Sequence, residues 1–226
     1  MSDYATIQPP SVSVGDYVKA IWEIAGSGVA STKDVAERLS IAPPSVTNMF
    51  VRLREMGFVD YERYRGVSLT ERGREEALRL VRRHRLIETF LLEHLGYSWG
   101  EVHEEAERLE HVVSDGFTER LAEFLGHPGQ DPHGDPIPAA DGTMQPDYSY
   151  PLSEATPGQR VRVSKVGDEP STLDYLGEHG LVPGRLLSVR EVREVDGVVI
   201  VEDEEGESHA LGGPLARAVF VRGAPR

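Results

Sequence analysis

Residues 31–70 read STKDVAERLSIAPPSVTNMFVRLREMGFVDYERYRGVSLT, and their reading decides the fold. At the start, Ser31 or Thr32 offers a helix N-cap, and Val35, Ala36 and Leu39 form the apolar face of a short helix. A tight link, Ile41-Ala42-Pro43, follows. Pro44 then suits the first position of another helix, where its missing N–H costs nothing. Val46, Met49, Phe50, Leu53 and Met56 give that helix its stripe, and Gly57 ends it. In FVDYERYRGVSLT, β-prone runs flank Arg65-Gly66, the pattern of a short hairpin. A helix-turn-helix followed by a hairpin is a winged helix, a motif whose second helix enters the major groove of DNA.

That helix carries Pro44 at its start and Ser45, Thr47, Asn48 and Arg52 on its polar side, and the wing offers Arg63 and Arg65 to phosphates. From Pro44 to Arg74, Arg52, Arg54, Arg63, Arg65, Arg72 and Arg74 face only Glu55, Asp60, Glu62 and Glu71. The bland alternative is a helix-hairpin core with surface arginines. Upstream, Val14, Val18, Ile21, Trp22 and Ala25 fall at helical spacing and stop at Gly26-Ser27-Gly28, a first helix.

The whole chain of 226 residues has a formal net charge of -14, which argues against sequence-independent coating of DNA. The charge is unevenly spread: the first 72 residues hold 8 basic and 9 acidic groups, whereas residues 73–140 hold 7 and 14. No apolar run approaches the ~20 residues that span a bilayer, and MSDYATIQPP lacks the flanks of a secretory signal, so the expected compartment is the cytoplasm. Cysteine is absent, which leaves histidine, carboxylate, carbonyl or water to hold any metal and favours harder cations.

Downstream of the wing the spacing predicts a long helix from Thr70 to His94, and Ser98-x-x-Glu101 is a capping box that opens the next one. This second helix contains HEEAERLEHVVSD, residues 103–115. At ~100° per residue, His103, Glu107, Glu110, His111 and Ser114 share one face, opposite Val102, Ala106, Leu109, Val113 and Phe117. Either this is a solvated acidic face, or Glu107, Glu110 and His111 converge on one cation. His84 and Glu88, spaced i, i+4, and Asp16, among apolar neighbours, add ligands from other elements; singly, His84 reads as part of a basic run and Asp16 as a cap. A further helix is expected from Ser114 to Leu125, and this helical segment is too short for a deep core of its own, which points to helix-helix dimerisation. Residues 127–151, dense in Pro, Gly and Asp, read as a linker. QRVRVSKVG, LLSVREV, VVIVEDEEG and AVFVRG beyond it predict a small β barrel. The expected organisation is mainly α with a C-terminal β domain: a winged helix-turn-helix over 1–72, a helical metal-binding and dimerisation domain over 73–140, a linker over 141–154 and the β domain over 155–226.

The order of AERL, PPSVT, LT-x-x-G, RRHRL, VHEEA-x-R-x-EHVVSD and HGDPIP resembles the diphtheria-toxin-repressor family of metal-dependent transcriptional regulators. The resemblance implies an SH3-like C-terminal domain and a homodimer on a pseudo-palindromic double-stranded operator, repressing metal-uptake genes. It also implies a primary metal site at Asp16, Glu107, Glu110 and His111, and a second at His84, Glu88 and His103 with a further ligand at Glu169. Iron-responsive members carry methionine where this chain has Asp16 and cysteine where it has Glu107; manganese-responsive members carry carboxylates, so Mn2+ is the expected metal and Fe2+ the alternative. Short manganese regulators add a glutamate three residues after the aspartate, where this chain has Lys19. A winged-helix regulator answering to an organic ligand is a rival reading. A metallohydrolase is disfavoured, because HEEAE has Glu107 where H-E-x-x-H needs its second histidine, and no phosphate loop or nucleophile elbow is present.

Overall fold

In the computed structural model, residues 14–224 are described. The decapeptide MSDYATIQPP and the last two residues of the β domain lie outside them. The chain divides into two compact units within its longest helix, after Val81.

The first unit holds α1 (Val14–Ala25), α2 (Thr32–Arg38), α3 (Pro43–Glu55) and the antiparallel hairpin β1 (Val59–Glu62) and β2 (Gly66–Leu69). Ser31, one of the two caps expected, accepts a hydrogen bond from Asp34 N at 3.1 Å and starts α2. α3 begins one residue earlier than expected, with Ala42 as N-cap and Pro43 leading Pro44. Val18, Ile21, Val35, Val46, Phe50, Leu53, Val59 and Val67 are buried and form the core that joins all five elements.

The LT-x-x-G motif has a packing reason. The Thr70 hydroxyl donates to Gly57 O at 2.7 Å and accepts from Gly73 N at 3.1 Å, so it clamps the wing to α4 (Glu71–Leu95). Gly73 lies so near β1 that an added Cβ would sit 1.9 Å from Phe58 O, a backbone atom with nowhere to go. Gly73→Ala is therefore expected to destabilise this unit by about 3 kcal/mol, read as a lower urea midpoint at unchanged slope.

In the second unit, α5 (Trp99–Leu109) opens on the expected capping box at Ser98 and Glu101, and α6 (Asp115–Phe124) follows. α5 does not run through the charged stretch. It ends at Leu109 with Glu110 as C-cap, because Ser114 takes extended backbone and accepts from Phe117 N to cap α6, and the β-branched pair Val112-Val113 resists helix. The single helical face extrapolated through His111 and Ser114 therefore breaks, and Phe117 belongs to α6, where it is largely exposed. Leu86, Ile87, Leu91, Val102, Ala106, Leu121, Ala122 and Ile137 form the helical core.

Residues 127–151 are not a free linker. Asp131, His133 and Ile137 are buried, and the Gly134 backbone, at φ +93°, presses against Ser164 so closely that a Cβ would meet its carbonyl at 2.1 Å. The β domain likewise starts earlier than 155: β3 (Tyr150–Pro151) pairs with the last strand and Leu152 is fully buried. The further strands are β4 (Arg160–Val166), β5 (Leu186–Val192), β6 (Val199–Glu202), β7 (Ser208–Leu211) and β8 (Val219–Gly223), in antiparallel order β3-β8-β4-β5-β6-β7. Two helices, α7 (Pro170–Glu178) and α8 (Gly213–Ala218), interrupt the expected all-β pattern, and α7 packs against α5. No helix among the described residues is long and apolar enough to cross a membrane.

Candidate metal centre and DNA-binding surface

α4 and α5 bring together the imidazoles of His84 and His103 and the carboxylate of Glu88. His84 Nε2, His103 Nδ1 and Glu88 Oε1 form a triangle with edges of 2.9, 3.0 and 3.1 Å. Ligands at ~2.1 Å from a six-coordinate cation stand ~3 Å apart at right angles, so this triangle matches one face of an octahedron. Burial acts to raise the pKa of Glu88, but the charge on His84 and hydrogen bonds from His103 and His84 outweigh it and hold the carboxyl well below the usual range.

The other nitrogen of His84 faces a separate group of carboxylates and a histidine. His84 Nδ1 lies 2.5 Å from Glu110 Oε2 and 3.5 Å from Glu107 Oε2, and His111 Nε2 lies 3.8 Å from Glu110 Oε1. Glu110 is fully buried at the end of α5, whereas Glu107 and His111 keep part of their surface. Arg83 braces this corner, donating to Glu110 O at 3.1 Å and to Asp115 Oδ1 at 2.5 Å. Glu104 and Glu105 do pair outward, with Arg108. Asp16 belongs to the first unit, half-buried on the opening turn of α1, one turn before the buried Lys19.

Glu169 takes a different part from the one the resemblance implies. Its carboxylate caps α7, accepting from Ser171 Oγ at 2.5 Å and Thr172 N at 2.9 Å, and it is not among the groups that converge with His84, Glu88 and His103. Asp131 and His133 also come within ligand distance of Glu88, and all three are buried. His133 Nε2 has no hydrogen-bond partner among the described residues, an exposed need for a proton or a cation inside the protein. Burial first, then the charge of Glu88, pushes the Asp131 carboxyl up to about 7, against the pull of Arg85. Burial lowers the pKa of His133, against the pull of Glu88, so its ring favours the neutral form that binds metals. Sequence reading missed this pair because it sits in QDPHGD, which has no periodicity; the only signal was Asp-x-His beside the RRHRL helix.

On the first unit, Pro44, Ser45, Asn48 and Arg52 are exposed on α3, and Arg63 and Arg65 on the wing. Thr47 is partly engaged, its hydroxyl donating to Pro43 O at 3.2 Å. Arg65 pairs with Glu62 at 3.1 Å in water, a contact weak enough to yield to a phosphate. Arg72 is committed elsewhere, donating to Met56 O and lying over the Phe58 ring.

A winged helix joined to buried, cysteine-free clusters of histidine and carboxylate defines a metal-dependent DNA-binding regulator. Residues 7–67 match the family described as iron dependent repressor, N-terminal DNA binding domain; residues 70–139 match its metal binding and dimerisation domain; and residues 150–223 match the FeoA domain. The iron-dependent repressor IdeR of Mycobacterium tuberculosis H37Rv is 37% identical over 219 residues, 91% of this chain and 94% of that one. The HTH-type transcriptional regulator MntR of Lysinibacillus sphaericus is 38% identical over 117 residues, 51% of this chain and 84% of that protein. A solved manganese-dependent transcriptional repressor in complex with manganese superposes with a TM-score of 0.87 at 38% identity, covering 94% of this chain and all (100%) of that one. The chain belongs to the diphtheria-toxin-repressor family of metal-dependent transcriptional regulators. It binds operator DNA as a homodimer, and its C-terminal domain is SH3-like.

Proposed function

We propose that this chain is a manganese-responsive repressor of metal-uptake genes, acting in the cytoplasm. The observation that carries the metal is the donor set: imidazole and carboxylate only, in a chain without cysteine, with three donors spaced as an octahedral face. Asp16, Glu107, Glu110 and His111 are the proposed primary ligands, and His84, Glu88 and His103 the second set. Asp131 and His133 form a third group that shares Glu88, and Glu169 is left to its cap. A divalent cation in these clusters supplies the positive charge that acidic side chains otherwise lack.

The rest follows from the chain's own residues. In this proposal the primary set of Asp16, Glu107, Glu110 and His111 makes operator binding depend on the metal. Neutralised carboxylates no longer repel one another or DNA. Differential affinity for the DNA-competent arrangement is what shifts the population. Val112, Phe117 and Phe124, exposed by 77%, 47% and 64%, supply apolar surface suited to the partner protomer.

Fe2+ is a second reading, supported by the iron-dependent repressors among the relatives. By the Irving-Williams order Fe2+, Co2+ and Zn2+ also bind such sites in vitro, so supply sets the outcome in the cell. Anisotropy of a labelled operator duplex, titrated first with chelator and then with Mn2+, Fe2+ or Zn2+, tests the switch. Affinity is expected to rise by about 5- to 150-fold with Mn2+, the range of typical coupling energies. Equal affinity with and without metal refutes it, and a response to Fe2+ alone at cellular concentrations gives the iron reading.

A further inference from the structure

The wing tip carries a residue that a simple turn would not choose. Tyr64 occupies the left-handed region at φ +70°, where bulky side chains are outliers and Gly or Asn are the usual occupants, yet its side chain is 92% exposed. It gains no packing in the fold to offset that conformation; its one ring contact is Arg63, whose guanidinium lies 5.2 Å from the ring centroid. Two residues on, Gly66 at φ +95° approaches Ala30 so closely that a Cβ would meet its carbonyl oxygen at 2.5 Å. This contact and the paired backbone groups of Ala30 and Val67, at 2.8 and 2.9 Å, fix the tip against the segment that leads into α2. Between tip and segment runs an open cleft lined by Val29, Tyr64 and Gly66, and by the charged groups of Lys33, Arg65 and Asp34. Val29 is 61% exposed there, so the cleft sets apolar surface beside two cations and one carboxylate, and the solvent-exposed pairs of Lys33 with Glu37 and Arg65 with Glu62 are weak enough to yield to a phosphate.

We infer that this cleft holds one strand of the DNA backbone flanking the bases read by α3. The Tyr64 ring and Val29 pack on a deoxyribose, and Lys33 and Arg65 meet the adjoining phosphates. A sugar-phosphate strand has that alternation of apolar ring and anion, and the cleft belongs to the same unit as the recognition helix, next to wing arginines already assigned to phosphates. The contact adds affinity through ring packing and carries little sequence information.

The test uses the full-length protein loaded with Mn2+ and a duplex selected on it from a random library, with wild-type binding as the control for DNA recognition itself. Tyr64→Gly relieves the left-handed backbone while removing the ring; its thermal midpoint is expected to equal or exceed the wild type, and its DNA affinity to fall about tenfold. Tyr64→Phe keeps the ring and is expected to bind within about twofold. Hydroxyl-radical footprinting is expected to lose the protected sugars at the flank in the glycine variant, while guanine N7 protection under α3 persists. The salt slope is expected to stay at the wild-type value for Tyr64→Gly and to fall by about one for Arg65→Ala. Should Tyr64→Gly fold unstably, Tyr64→Asn, which tolerates the same backbone, replaces it. Wild-type affinity and an unchanged flank footprint in the glycine or asparagine variant overturn the inference, as does a reduced salt slope, which would mean that the tyrosine only orders Arg63.

Discussion

Replacing Glu110 with glutamine is expected to abolish the metal response: operator affinity at saturating Mn2+ should match that in chelator within about twofold, against the roughly 5- to 150-fold rise of the wild type. Glu110 is the fully buried member of its group, held on one side by His84 Nδ1 at 2.5 Å and through its carbonyl by Arg83. Glutamine keeps the volume and a hydrogen bond to the imidazole but removes the negative charge that a divalent cation needs. The metal-free variant should therefore melt within ~4 °C of the wild type, which separates loss of ligation from loss of fold. A Glu110→Gln protein that still answers Mn2+ would remove Glu110 from the switch.

His84→Ala should act on stability as well as on metal. One imidazole serves both clusters, Nδ1 toward Glu110 and Nε2 toward Glu88, and these are among the most buried charged groups in the chain. Removing it takes a shared partner from two buried carboxylates, a change expected to cost about 3–5 kcal/mol in the metal-free protein, visible as a lower urea midpoint. The pH dependence has a definite sign. The native pKa of Glu88 is depressed from 4.5, so its stabilising contribution is present above about pH 4.5 and is lost as the pH falls through the lower native value. Wild type and His84→Ala should thus differ most near neutral pH and converge in acid. A constant gap across the titration would show that His84 contributes packing volume rather than charge.

Much of this was legible in the chain. Ser31, Pro43, Gly57 and the Ser98–Glu101 box punctuate helices because capping and proline geometry are local, so the boundaries of α2, α3 and the start of α5 could be read within a residue or so. The winged helix followed from period together with these caps and the Arg65-Gly66 turn. The end of α5 was not legible, because Ser114 competes as a cap for α6 and periodicity says nothing about which of two helices claims a residue. α7 was missed because Pro170–Glu178 is a short helix embedded between strands, with its cap, Glu169, assigned to a metal instead. Residues 127–151 lacked periodicity and were read as linker; backbone contacts such as Val166 N to His133 O, at 2.9 Å, hold that segment in place.

By itself the sequence determined the helix-turn-helix and hairpin, the capping points and the chemistry of the donor set, since residue identity and local spacing fix all three. The absence of cysteine excludes thiolate from that donor set. Only the tertiary structure decided which atoms meet. That His84 faces carboxylates on both of its ring nitrogens, that Glu169 spends its carboxylate on a helix cap, and that Asp131 and His133 come to Glu88 from a segment without periodicity are all facts of distance between elements. Spacing along a chain places side chains on one face of one helix, whereas a cluster of histidines and carboxylates drawn from α4, α5 and a loop exists only after packing has brought those elements within a few ångströms.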